Sequence, residues 1–137
     1  MSTSPITLHG SKGKLAQKII RYFPKHRTYC EPFGGSAAVF LAKAPAEVEI
    51  YNDADRSLVN LFRVIRDSDL CTKLHRVLED TPYSRGEFEL AKEQSDNPVE
   101  AARRLIIRQR QSRAGLGVCW RYSVGDAEGG VATVVKR

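Results

Sequence analysis

At 137 residues and 42% hydrophobic content, the chain can bury the core of one domain, and no apolar run approaches the ~20 residues of a membrane helix. A net charge of +6 favours a polyanionic partner, nucleic acid before membrane, and the opening "MSTSPITLHG" does not have the pattern of a signal peptide. Cys30, Cys71 and Cys119 lie far apart, and His9, His26 and His75 lack ligand spacing, which points away from a zinc site and suits a reducing, cytoplasmic setting.

In "KLAQKIIRY" and the residue after it, Leu15, Ile19, Ile20 and Phe23 recur at helical spacing until Pro24 ends the run. "RTYCEPF" predicts a short buried strand, and Ser36 to Ala42 a small-residue helix broken near Pro45. "AEVEIYND" alternates Val48 and Ile50 with polar neighbours and stops at Asn52-Asp53, a second strand. Asp55 is placed to cap a helix over "RSLVNLFRVIRD", with Leu58, Leu61, Phe62 and Ile65 on one face. Helix, strand, helix, strand, helix implies parallel strands joined by crossover helices, a doubly wound α/β sheet. The second half is helical. Ser68 precedes "DLCTKLHRVLED", Ser84 and Glu87 form a capping-box pattern, and Asn97-Pro98 with Glu100 marks another start. The helix after it is rich in arginine, with Leu105, Ile106 and Ala102 for its buried side. Beyond Gly115 only turn residues and one short apolar run remain. The predicted organisation is an α/β part over 1–66, a helical part over 67–113 and an irregular tail over 114–137.

Between the strands lies "TYCEPFGGSAAVFL". Gly34 and Gly35 allow a tight turn and close backbone approach to a ligand, and a helix after them would aim its positive end at the same place. The G-x-G-x-x-G spacing of a pyrophosphate cradle is absent, which disfavours a nicotinamide-dependent oxidoreductase. Glu31 suits a cationic group, Pro32-Phe33 a flat ring, and Asp53 at the end of the next strand the hydroxyls of a ribose. A cationic nucleoside without pyrophosphate is S-adenosylmethionine. The competing interpretation is a glycine turn and a capping aspartate.

With "HGSKGKLAQKII", "EPFGGSAAVFL", "YNDADRSLVNLFRVIRD" and "TPYSRGEFELA" in this order, the chain from about Leu8 to Arg113 resembles the Dam-like (D12 class) adenine-N6-specific DNA methyltransferases, phage and prophage members especially. The resemblance implies a Rossmann-like S-adenosylmethionine-dependent methyltransferase sheet, partial here, with an inserted helical DNA-recognition part. It implies Gly10, Lys12, Glu31, Phe33, Gly34, Gly35 and Asp53 as cofactor-site residues, double-stranded DNA as substrate and no metal. Ser11 stands where the family usually has glycine, a departure that matters if the position needs a positive φ.

The family's catalytic Asp-Pro-Pro-Tyr tetrapeptide, which frees the adenine amino lone pair and stacks on the flipped base, does not occur in the sequence. "DTPY" (Asp80 to Tyr83) differs by one residue but falls between a helix and a capping box, and "NPVE" (Asn97 to Glu100) is a helix start. The expectation is therefore a chain that stops before the catalytic strand, whether truncated, frameshifted or a fragment. Arg104, Arg108, Arg110 and Arg113, with Arg103 near them, are candidates for phosphate contact, against a solvated basic face. Two functions stand: adenine-N6 DNA methylation of the restriction-modification type, and an inactive remnant or split-enzyme half that binds only cofactor or DNA. The split form implies a second polypeptide that supplies the catalytic half.

Overall fold

In the computed structural model, which describes residues 4–6 and 8–122, the elements run α1 (Ala16–Ile20), β1 (Thr28–Glu31), β2 (Val48–Tyr51), α2 (Arg56–Arg66), α3 (Ser68–Glu79), α4 (Arg85–Leu90) and α5 (Pro98–Arg110), then a 3-10 turn over Arg113–Gly115. β1 and β2 pair in parallel, Thr28 beside Val48 through Glu31 beside Tyr51. The predicted parallel pairing is present, as a two-stranded sheet among the described residues. Most of the predicted tail lies outside them.

The sheet is less buried than its sequence predicts. Thr28, Cys30, Val48 and Ile50 share one face and are all exposed, Val48 at 49% and Ile50 at 46%. Period-2 alternation marks which side chains share a face, but burial needs a covering layer, and the described residues place none there. The opposite face carries Tyr29, Glu31 and Tyr51, all half-buried. Leu15 also departs from expectation: it is 49% exposed, and its neighbour Ala16 takes the inward position.

Ser36 to Ala42 is a succession of turns rather than a helix. Ala37 adopts φ +54°, in the left-handed region, which a continuous right-handed helix cannot include. The single i→i+4 bonds from Leu41 N to Ala37 O and from Lys43 N to Val39 O do not propagate.

Ring contacts carry the sheet across to the helices. Phe23–Tyr29, Tyr29–Phe40, Phe40–Tyr51 and Tyr51–Phe62 have centroids 5.3, 6.0, 6.0 and 4.8 Å apart. Such pairs contribute about 0.5–1.5 kcal/mol each beyond the area they bury. The Lys43 ammonium lies 4.4 Å from the Tyr29 ring centre, and it is bonded to the Glu49 carboxylate and the Ala44 carbonyl.

The aliphatic core lies in the helices. Leu61 of α2, Leu74 and Leu78 of α3, and Leu105 and Ile106 of α5 are fully buried together. α2, assigned by sequence to the α/β part, thus contributes to the same core as α3 and α5. The caps are largely as predicted: Asp55 Oδ1 accepts from Ser57 N, Ser84 Oγ from Glu87 N, and Asn97 Oδ1 from Val99 N and Glu100 N. For α3 the cap is Asp67, whose Oδ1 accepts from Asp69 N and Leu70 N, and Ser68 is the first helical residue. The Glu87 carboxylate accepts from Arg103 at 2.8 Å.

Arg103 and Arg104 converge on Glu100. Arg103 donates to both Glu100 oxygens at 2.7 and 2.8 Å, and Arg104 Nε to Oε1 at 2.7 Å. The hydrogen bonds from Arg103, opposed by burial and reinforced by Arg104, hold the Glu100 carboxyl at about 2. A carboxylate depressed in the folded state contributes stability that is present above its unfolded pKa and is lost as pH falls through the folded value. Glu100→Gln is therefore expected to lower the thermal midpoint near neutral pH, with the difference from wild type closing as pH falls from about 4.5 to about 2. Thermal unfolding followed by circular dichroism across that range tests this, and a difference independent of pH would contradict it.

Candidate functional site

A cleft of about 490 Å³ opens between the N-terminal segment and the glycine loop after β1. Gly10, Lys12, Glu31, Phe33, Gly34 and Gly35 all line it, so six residues singled out from sequence meet at one place. Asp53, the seventh, is not on the wall.

The loop is held by the end of β2. Gly34 N donates to Asn52 O at 2.9 Å, Gly35 N to Asp53 Oδ2 at 2.8 Å, and Asn52 Nδ2 to Pro32 O at 3.2 Å. Tyr51 Oη donates to Gly35 O at 2.7 Å. Asp53 Oδ1 accepts in turn from Asp55 N at 2.9 Å. Asp53 thus ties the glycine turn to the start of α2.

The two glycines serve different needs. Gly35 has φ +53°, a conformation costly for any residue with a Cβ. A Cβ on Gly34 would lie 2.2 Å from a Tyr51 ring carbon, so this position is glycine because the ring packs flush against the backbone. Burial first, then the charges of Asp53, Glu31 and Asp55, push the Tyr51 phenol up to about 12.

Glu31 is positioned from its own strand, where Tyr29 Oη donates to Glu31 Oε1 at 2.6 Å. Burial and this bond push the Tyr29 phenol upward. Neither tyrosine was among the predicted site residues, because an aromatic in a strand is most simply a core residue. The i, i+2 spacing of Tyr29 and Glu31, which places both on one face, was the available signal.

On the opposite wall, Gly10 has φ +77° and Lys12 Nζ donates to Gly10 O at 3.0 Å. Ser11 has no positive φ, and its hydroxyl shares a 2.8 Å hydrogen bond with that of Ser36. Serine is accommodated there. Phe33 is 86% exposed at the rim.

The near-matches to a catalytic tetrapeptide are structural and lie off the cleft wall. Thr81 is buried, donates to Val77 O at 2.6 Å and accepts from Arg103 at 3.0 Å, while Tyr83 Oη donates to Arg121 O at 2.9 Å. Asn97 caps α5. Of the predicted phosphate contacts, Arg104 is engaged with Glu100 and with the carbonyls of Glu93 and Gln94. Arg108 and Arg110 are half-buried, and Arg113 is exposed. Trp120 stacks on Tyr122 and bridges to Ser112 in antiparallel fashion.

A glycine turn at the carboxyl end of a parallel strand, fixed by an acidic motif on its neighbour, stands where open α/β sheets bind their ligands. The family model of the D12 class N6 adenine-specific DNA methyltransferase matches residues 9–115. The chain belongs to this family, whose methyltransferases generally use S-adenosylmethionine. A comparison with curated proteins finds no match.

The contact of Gly34 with Tyr51 makes a specific prediction. Gly34→Ala is expected to destabilise by about 1–3 kcal/mol through overpacking. In a Tyr51→Ala background the same substitution should cost far less. Urea midpoints of the four chains measure both; equal costs in the two backgrounds would contradict the assignment.

Proposed function

We propose that the cleft binds S-adenosylmethionine and that the chain contributes the cofactor-binding part of an adenine-N6 DNA methyltransferase. The observation that carries this is the meeting of Gly10, Lys12, Glu31, Phe33, Gly34 and Gly35 in one cleft of suitable size. The residues fit the group: a carboxylate for its cationic portion, an exposed ring for its base, and two glycines that let backbone approach. Asp53 serves by fixing the Gly35 amide.

When bound, the cofactor supplies an electrophilic methyl on a sulfonium. Glu31 neutralises positive charge at the cleft, and Tyr29 holds one of its oxygens. Phe33 stacks at the rim, and Lys12 closes the opposite wall. The acceptors that free the adenine nitrogen belong to the family's Asp-Pro-Pro-Tyr loop, which these 137 residues do not contain. In this proposal that loop is supplied from outside these residues, by further sequence of the same protein or by a second polypeptide. Residues 1–66 then form the cofactor part and 67–113 a DNA-facing helical part. Arg108, Arg110 and Arg113 meet phosphate there, and Arg104 holds α5 in place. The turn at Asp80 to Tyr83, with Thr81 buried against α3 and Tyr83 bonded to Arg121 O, favours one alternative, a chain that binds cofactor or DNA without catalysing transfer on its own.

Calorimetric titration of the chain with S-adenosylmethionine tests the proposal, with NAD as control. Saturable binding is expected, weakened about tenfold or more by Glu31→Gln and by Asp53→Ala, since hydrogen bonds to charged groups contribute about 1.5–3 kcal/mol. A folded chain that takes up no S-adenosylmethionine would refute it.

A further inference from the structure

The net positive charge of the protein is carried by one segment. Six of the 22 Lys and Arg residues and none of the 16 Asp and Glu lie in the first 30 residues. The sixteen remaining cations equal the acids, so the whole net charge of +6 resides in that segment. All six, Lys12, Lys14, Lys18, Arg21, Lys25 and Arg27, are exposed. Lys12 is bonded to Gly10 O and Arg27 is paired with Glu47. Among the described residues, Lys14, Lys18, Arg21 and Lys25 form no ion pair.

Their arrangement follows from α1. Lys18 lies on α1, Lys14 and Arg21 stand in the turns that flank it at i−4 and i+3, and Lys25 follows just past Pro24. Ala16, Ile19, Ile20 and Phe23 take the other side; Ala16 is buried and the rest half-buried. Ile19 and Phe23 also line the cleft. One short segment thus turns an apolar face to the cleft and an unneutralised basic face to solvent, with Tyr22 87% exposed beside it. On α5, by contrast, carboxylates already meet Arg103 and Arg104.

We propose that the exposed basic surface of α1 and the residues flanking it, Lys14, Lys18, Arg21 and Lys25, binds the phosphate backbone of duplex DNA and seats it against the cleft. The inference rests on the DNA methyltransferase function proposed above. Among the described residues these charges have no carboxylate partner, and no base-reading geometry accompanies them. Contact is therefore with phosphate and independent of sequence.

The experiment is fluorescence anisotropy of a labelled duplex of about twenty base pairs with the full chain over a range of salt. Each phosphate contact adds about 0.9 to the slope of log affinity against log salt. The triple variant Lys14→Gln, Lys18→Gln, Lys25→Gln should lower the slope by about 2.7 and weaken low-salt binding at least about tenfold. The corresponding triple with arginine at all three positions should restore both. Circular dichroism checks that each variant is folded. Duplex binding with wild-type slope in the glutamine triple overturns the surface assignment and leaves the cofactor proposal intact. A chain that binds S-adenosylmethionine but no duplex at low salt overturns both this inference and the DNA half of the proposed function. If anionic phosphatidylserine vesicles are bound instead, and lost in the glutamine triple, the surface belongs to a membrane and the inference is wrong.

Discussion

The candidate site depends on how the end of β2 grips the loop after β1. Three consecutive residues take part: Tyr51 through its ring and hydroxyl, Asn52 through its carbonyl and amide, Asp53 through its carboxylate. A two-stranded sheet is a weak scaffold on its own. This grip, rather than the sheet's few backbone bonds, fixes the turn at Gly34 and Gly35. It also explains why an acidic motif on the second strand accompanies a glycine loop on the first: Asp53 accepts from one of the two amides that the turn presents, and Asn52 O accepts from the other.

Two kinds of cohesion meet in this chain. The helices share an aliphatic core in which α5 packs on α2, α3 and α4. The sheet is joined to that core by aromatic rings, ending in the 4.8 Å Tyr51–Phe62 contact. Phe62 leaves α2 towards the sheet, while Leu58, Leu61 and Val64 face α3 and α5. α2 therefore belongs to both, and the cleft is built where the less buried part of the protein begins. The exposed face of Val48 and Ile50 is the other consequence of so small a sheet.

Charge is partitioned in the same way. On α5, Arg103 and Arg104 are closed into a network with Glu87 and Glu100, which joins α4, α5 and the turn after α3. A guanidinium so engaged contributes little field to its surroundings. Among the described residues Lys14, Lys18, Arg21 and Lys25 have no carboxylate partner, and they flank a segment whose Ile19 and Phe23 line the cleft. An arginine-rich sequence is thus a poor guide to where a polyanion docks unless the pairing of each charge is known.

The features legible from sequence were local ones. Asp55, Ser84 and Asn97 cap helices because a short acceptor before an amphipathic run has few better uses, and the parallel pairing followed from the alternation of elements. The glycine loop was also legible, as were six residues that meet at it. Only the tertiary structure decided what depends on distant neighbours. Ala37 breaks the helix expected after the loop, Gly34 answers to Tyr51, and Asp53 turns from the cleft towards the Gly35 amide. The strand face at Val48 and Ile50 is bare, and Arg104 is occupied. For Gly34, Asp53 and the bare strand face the deciding partner is remote in sequence or absent, and periodicity records only which way a side chain points.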